Sequence, residues 1–252
     1  MINTILNSCT QLFTGAEGVA CKLVAPLFIT NETTFIVHSI FIGLFAIGAV
    51  KLGRGALTAF MAVCWVLGNL FVITQANLFG LNVVTSDGFA IGASLSLTLL
   101  QEYYGKQAAK NGILIGFYMA FFFVIMSQVH LAYIPMLSDT THQHFIPLLE
   151  RMVRIVGTSF LVAFISMNLN LFLFGFFNKL FGKAYFSLNA LLSISLSQLV
   201  DTVLFAVLAL SGNVDSLLHI ILFSCIVKVI SASISIPVVS LARTYIKAHR
   251  TL

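Results

Sequence analysis

The chain has 252 residues, of which 59% are hydrophobic and only 8% charged, with a formal net charge of +5 and a mean hydropathy of +1.03. Soluble domains carry about 25% charged residues, so the solvent for most of this surface must be lipid. The composition excludes a soluble enzyme and a nucleic-acid-binding module: the basic residues sit in short clusters between apolar runs, which is a topology signal. The predicted fold class is therefore all-α, a polytopic transmembrane helical bundle, with the lipid bilayer as its first partner and no nucleic acid.

In residues 1–32, Ile2, Ile5, Leu6, Cys9, Leu12 and Phe13 recur at helical spacing. That pattern predicts an amphipathic segment lying on the membrane or on the bundle. A cleavable leader is not expected, because residues 1–20 lack a basic start and a long apolar region. Residues 33–245 form the expected transmembrane domain, and 246–252 a cytoplasmic tail. A bilayer core needs about 20 apolar residues per helix, and seven such spans are predicted, six forming a core behind an extra first span. They run from Thr33 to Val50, Ala56 to Asn77, Ser86 to Tyr104, Ile113 to Tyr133, Arg154 to Phe177, Tyr185 to Leu210 and Leu217 to Leu241. The third is unusually polar, carrying Ser94, Ser96, Thr98, Gln101 and Glu102.

With these spans, Lys51, Arg54, Lys106, Lys110, Lys179, Lys183, Arg243, Lys247 and Arg250 all fall on one side. The positive-inside rule then puts the amino terminus outside and the carboxyl terminus in the cytoplasm. Cys9, Cys21, Cys64 and Cys225 form no CxxC pair and read as free thiols rather than a disulfide framework or zinc site. His142 and His144 form a lone HxH in an outer loop, better read as solvated than as a metal site. No metal or cofactor is expected.

Charges inside the apolar runs carry the most information. Each costs at least about 2.5–3.5 kcal/mol at the bilayer centre. Lys228 lies eleven residues beyond Leu217, near mid-membrane at about 1.5 Å per residue. Asp201 follows Gln198 and precedes Phe205 at one-turn spacing, so amide, carboxylate and ring share a stripe. Arg154 starts the fifth span and Glu102 lies toward the inner end of the third. A buried ion-pair network that fixes helix packing is the plain alternative to a solute path. The serine runs Ser193, Ser195, Ser197 and Ser231, Ser233, Ser235 read better as close-packing positions. Pro237 predicts a kink in the last helix. No HExxH, GxSxG, P-loop or GxGxxG occurs, so the chain is read as a transporter or channel rather than an enzyme, with no ATPase of its own.

Residues 69–108 resemble the signature of the queuosine precursor transporter family, also called the vitamin uptake transporter family. Asn69, the turn Leu78-Phe79-Gly80, then Glu102, Tyr104 and Gly105 match it. Arg154-Ile155 with Ser159, Ser197-Gln198 with Asp201-Thr202, and Lys228 with Pro237 follow in the family's order. The resemblance covers roughly residues 56–241. It departs at Thr98, where the family usually has Asp, and at Met167 and Asn170, near its usual Gln and Asp.

The resemblance implies import of a queuosine precursor: queuine, 7-cyano-7-deazaguanine or its aminomethyl form. A carboxylate can accept a pair of hydrogen bonds from the N–H edge of such a base, and its carbonyl needs a donor. Asp201 is then the residue for the donor edge. Lys228, Gln198 and Arg154 serve the carbonyl or hold Asp201 in place, and Asn69 and Asn77 are secondary amide candidates. Phe205 and Tyr103 or Tyr104 are candidates for stacking on the ring. Glu102 is placed nearer the cytoplasm, as an inner gate or an inward-facing contact. The expected mechanism is ATP-independent alternating access, by a monomer or a homodimer. Two alternatives stand: the substrate-binding subunit of an energy-coupling-factor vitamin importer, and a structural membrane protein with no solute.

Overall fold

The structure, a computed structural model, describes residues 30–136, 138–210 and 217–249, with the side chains of 81–82, 151–156, 209–210, 217–220 and 241–249 excepted. The amphipathic segment expected over 1–32 lies almost wholly outside the described residues. Helix α1 spans Asn31–Leu52. Thr30 starts it through a reciprocal cap: its hydroxyl accepts from the Thr33 N–H at 3.2 Å, and the Thr33 hydroxyl accepts from the Thr30 N–H at 3.1 Å. This satisfies amides that a helix start otherwise leaves open. One residue, Gly53, separates α1 from α2, Arg54–Phe71. Its φ of 106° lies where only glycine is at ease.

Two short antiparallel strands follow, β1 Gln75–Leu78 and β2 Leu81–Val84, with Ala76 opposite Val83. Phe79 and Gly80 form the turn with φ of 53° and 79°, the two positive values that a tight hairpin needs. Next come α3, Asp87–Tyr104, and α4, Lys106–Leu131, again joined through a single glycine, Gly105. Helix α5 spans His142–Leu180, α6 Phe186–Phe205 and α7 Leu217–His249. At the start of α5, the Asp139 carboxylate accepts from the backbone N–H of Thr141 at 2.7 Å. That bond holds its carboxyl below the usual range.

Six of these helices are long and apolar enough to cross a membrane: α1, α2, α4, the Gly157–Leu180 part of α5, α6 with its flanking turns, and α7 over Ile221–Ser240. The seventh expected span is α3, which is not among those six. It packs against all six other helices, and every residue from Ile91 to Leu100 is buried. A helix enclosed by protein needs no lipid-compatible surface, so its polar residues cost no exposure to hydrocarbon. Their hydroxyls are used locally: Ser96 donates to the Gly92 carbonyl at 2.7 Å and Thr98 to the Ser94 carbonyl at 3.0 Å. Close approach is set by small residues. A Cβ on Gly92 would come within 3.0 Å of Cys64 Sγ and 3.2 Å of the Ile42 side chain.

The hairpin is the feature that bundle reasoning did not predict, since residues 75–77 were assigned to the second span. It does not stand clear of the bundle. Leu78 and Val83 pack with Phe35 of α1 and Val227 of α7, so it reaches beside the residue preceding Lys228. Extended backbone at that depth is tolerated where protein covers it or where it lines a cavity. Two bonds from α1 fix its tip: Asn31 Nδ2 donates to the Asn77 carbonyl at 2.8 Å, and the Glu32 carboxylate accepts from the Phe79 N–H at 3.0 Å. Ser39 of α1 meets Ser231 of α7 at 3.1 Å, and Ser235 donates to the Ser39 carbonyl at 2.8 Å. The serine run of α7 is thus used to join two helices.

Candidate functional site

Because α3 begins only after the hairpin, its first residue, Asp87, enters the bundle beside α6 and α7. There it meets Lys228, whose side chain is only 6% exposed. The Lys228 ammonium donates to Asp201 Oδ2 at 3.1 Å and to the Thr202 hydroxyl at 3.1 Å. It lies 3.8 Å from Asp87 Oδ1. Serines hold both carboxylates from the far side. Ser166 of α5 donates to Asp201 Oδ1 at 2.9 Å, and Ser224 of α7 donates to Asp87 Oδ2 at 3.1 Å. An ammonium taken out of water is compatible with the fold only when paired in this way.

A cavity of about 170 Å³ opens against this cluster. One water requires only about 10–15 Å³ on the same measure, the space open to its centre, so the cavity has room for a small organic molecule. Trp65 and Asn69 of α2, Val84 at the hairpin base, Ser94 of α3 and Phe205 of α6 contribute to its wall, together with Gln198 and the three charged residues. Gln198 is buried, and its Nε2 donates to Ser94 Oγ at 2.9 Å. Its Oε1 is buried with no hydrogen-bond partner. Two of the three Lys228 N–H donors are engaged, by Asp201 Oδ2 and the Thr202 hydroxyl, whereas the wall keeps spare acceptor capacity on Gln198 and on the two carboxylates. A fitting solute therefore brings donors.

Of the residues singled out from sequence, Asp201, Lys228, Gln198, Asn69 and Phe205 line this one cavity. Asn69 Nδ2 donates to the Trp65 carbonyl at 3.0 Å. Glu102, Tyr103 and Tyr104 are not in the wall. They sit fifteen or more residues beyond Asp87 on α3, at least about 22 Å along a helix rising 1.5 Å per residue. Asn77 also falls outside it, on the exposed face of β1. Arg154 belongs to α5, with a side chain outside the described set.

The residue that sequence reasoning missed is Asp87. It stands in Thr-Ser-Asp-Gly, a composition that reads as a turn and helix start at an aqueous edge, where a charge costs little and asks for no partner. The polar-rich hairpin before it was the available signal, because a chain folding back into the bundle carries the next helix start inward. Thr98 and Asn170, two of the three departures from the resembled pattern, are neighbours. Asn170 Nδ2 donates to the Ser94 carbonyl at 3.1 Å and reaches the Thr98 hydroxyl at 3.5 Å. Neutral hydroxyl and amide groups meet there, next to the Ser94 that holds Gln198.

Among the described residues no cluster of His, Cys, Asp and Glu could hold a metal ion. Cys64 and Cys225 are free thiols. A polytopic helical bundle whose mainly apolar cavity of solute size is flanked by a charged cluster fits the class of small-molecule membrane transporters, and the comparisons with known proteins place it there. A family model described as "Putative vitamin uptake transporter" matches residues 90–242, more than half of the chain, and the chain belongs to that family. A Bacillus subtilis (strain 168) protein named "Probable queuosine precursor transporter" is 26% identical over 205 residues, covering 80% of this chain and 88% of the relative. No solved structure matches.

Proposed function

We propose that this transporter imports a deazaguanine precursor of queuosine by ATP-independent alternating access around the cavity between α2, α3, α5, α6 and α7. The observation that carries the reading is the buried wall of Asp201, Lys228 and Gln198, whose free capacity is for accepting hydrogen bonds. A 2-amino-4-oxo pyrimidine edge offers an N–H and an amino group side by side, which a carboxylate and an amide oxygen accept together. Asp201 and the Gln198 carbonyl oxygen take that edge. Lys228 holds Asp201 in place and supplies a donor toward the ring carbonyl, and the flat ring lies on Phe205 or Trp65. The relative from Bacillus subtilis and the residue pattern support this solute class. The clustering of basic residues supports an amino terminus outside and a carboxyl terminus in the cytoplasm.

Ligand-induced thermal stabilisation of the purified protein tests the solute. Queuine and its 7-cyano and 7-aminomethyl precursors should each be compared with guanine and unrelated vitamins. A ligand at a hundred times its Kd stabilises by about 2.7 kcal/mol, an easily resolved shift. No shift with any deazaguanine sinks the substrate reading. Uptake into liposomes containing this chain alone tests the independence from partner ATPases.

A further inference from the structure

The cavity wall holds one more carboxylate than ammonium among the described residues: Asp87 and Asp201 against Lys228. The two carboxylates are not equivalent. Asp201 takes the short bond from Lys228 at 3.1 Å and a second from Ser166. Asp87 keeps the ammonium only at 3.8 Å, beyond hydrogen-bond reach, and accepts one neutral bond from Ser224. It is also the more enclosed of the two, with a side chain 10% exposed against 21% for Asp201. Among the described residues, the groups around it do not supply the missing positive charge. His38 of α1 packs on the adjacent Gly88, while Glu32 of α1 is bound to the hairpin tip. Among the described residues, the titratable group that α7 adds beside Lys228 is the Cys225 thiol. α2, α4 and α5 bring no charged side chain to the wall among the described residues.

With solute in the cavity and its water displaced, a carrier must turn this site over without an uncompensated charge in the low-dielectric interior, which costs several kcal/mol, whereas the emptied site returns hydrated with Asp87 ionised. We infer that Asp87 carries a proton with the solute, so that this protein is a proton-coupled importer. The inference rests on the transport reading above. In each cycle an O–H bond forms on the Asp87 carboxylate from the outer solution and breaks toward the inner one, with no redox change. The excess negative charge is cancelled while the site is closed to both sides. A sodium ion is a poorer fit, because the Lys228 ammonium already occupies the space between the two carboxylates, where a bridging cation would have to lie.

The test uses the full chain in liposomes, with the membrane potential clamped at zero and neutral 7-cyano-7-deazaguanine as solute. One proton per solute predicts accumulation of about tenfold for a one-unit gradient, acid outside, since one pH unit corresponds to a factor of ten in free energy. A pH dye trapped inside the wild-type liposomes should report acidification that begins only when solute is added. This measurement does not depend on any variant folding. Asp87→Asn, a permanently neutral mimic, should lose both the gradient-driven accumulation and the solute-triggered acidification. Accumulation that stays at unity under the pH gradient, or follows a sodium gradient instead, overturns the proposal. Absence of any stabilisation by deazaguanines refutes the substrate reading and this inference with it, whereas stabilisation without gradient-driven accumulation refutes the coupling alone.

Discussion

Replacing Lys228 by methionine keeps most of the side-chain volume and removes the cation. Asp201 and Asp87 then face each other with serine and threonine hydroxyls but no ammonium, where the wild-type distances are 3.1 and 3.8 Å. Removing one partner of a buried ion pair typically costs about 3–5 kcal/mol. Two features place this case at the low end. The Asp201 side chain is 21% exposed to the cavity, and a carboxylate can escape the cost by taking up a proton. The expected loss is therefore about 3 kcal/mol, or about 6–12 °C in melting temperature for a chain of this size.

The sign with pH follows directly. Protonation of the orphaned carboxylates becomes easier as pH falls, so the Lys228→Met protein should regain stability relative to wild type between pH 7 and pH 5. The double variant Lys228→Met/Asp201→Leu removes both members of the short pair and should recover part of the loss at pH 7. Solute uptake should be abolished in both. Thermal melts across pH in one detergent, paired with uptake in liposomes, give the readout. A single variant as stable as wild type at pH 7, or one whose deficit deepens on acidification, would refute the electrostatic account of this cluster.

Gln198→Leu removes the unpartnered Oε1 and the bond to Ser94, and a neutral hydrogen bond is worth about 0.5–1.5 kcal/mol. The solute Kd from thermal-shift titration should rise about two- to tenfold, and an unchanged Kd would remove Gln198 from the recognition surface. Gly92→Val adds bulk where a Cβ already lies 3.0 Å from Cys64 Sγ. Overpacking of this kind costs about 1–3 kcal/mol, so the melting temperature should fall in the absence of solute; a neutral result would mean that α2 and α3 separate freely. Glu102→Gln, far along α3 from the cavity, should leave stabilisation by solute within twofold in Kd. Its loss would assign Glu102 to the solute path.

Much of the site was legible because lipid makes charge conspicuous. Lys228 and Asp201 stand inside apolar runs with no nearby edge to which they can snorkel, so the cost argument alone singled them out, and they form a direct ion pair. The one-turn spacing of Gln198, Asp201 and Phe205 likewise placed three wall residues on one stripe, since the period of a helix is a local property. Glu102, Tyr103 and Tyr104 lie outside the cavity wall for the complementary reason. They share α3 with the site, but membership of a helix says nothing about depth, and depth is set by where the helix starts.

By itself the sequence determined a lipid-embedded helical bundle and which charges inside the spans needed partners. These follow from local composition and from the energy of charge in hydrocarbon. The tertiary structure decided what those partners are. A two-stranded hairpin, latched by Asn31 and Glu32 and packed on Val227, carries the start of α3 inward. That brings Asp87, which reads as a surface turn residue, against Lys228. The enclosure of α3 by six helices, rather than its own hydropathy, is what makes its polar face affordable. Both facts depend on contacts between segments far apart in the chain, and no periodicity within a segment encodes them.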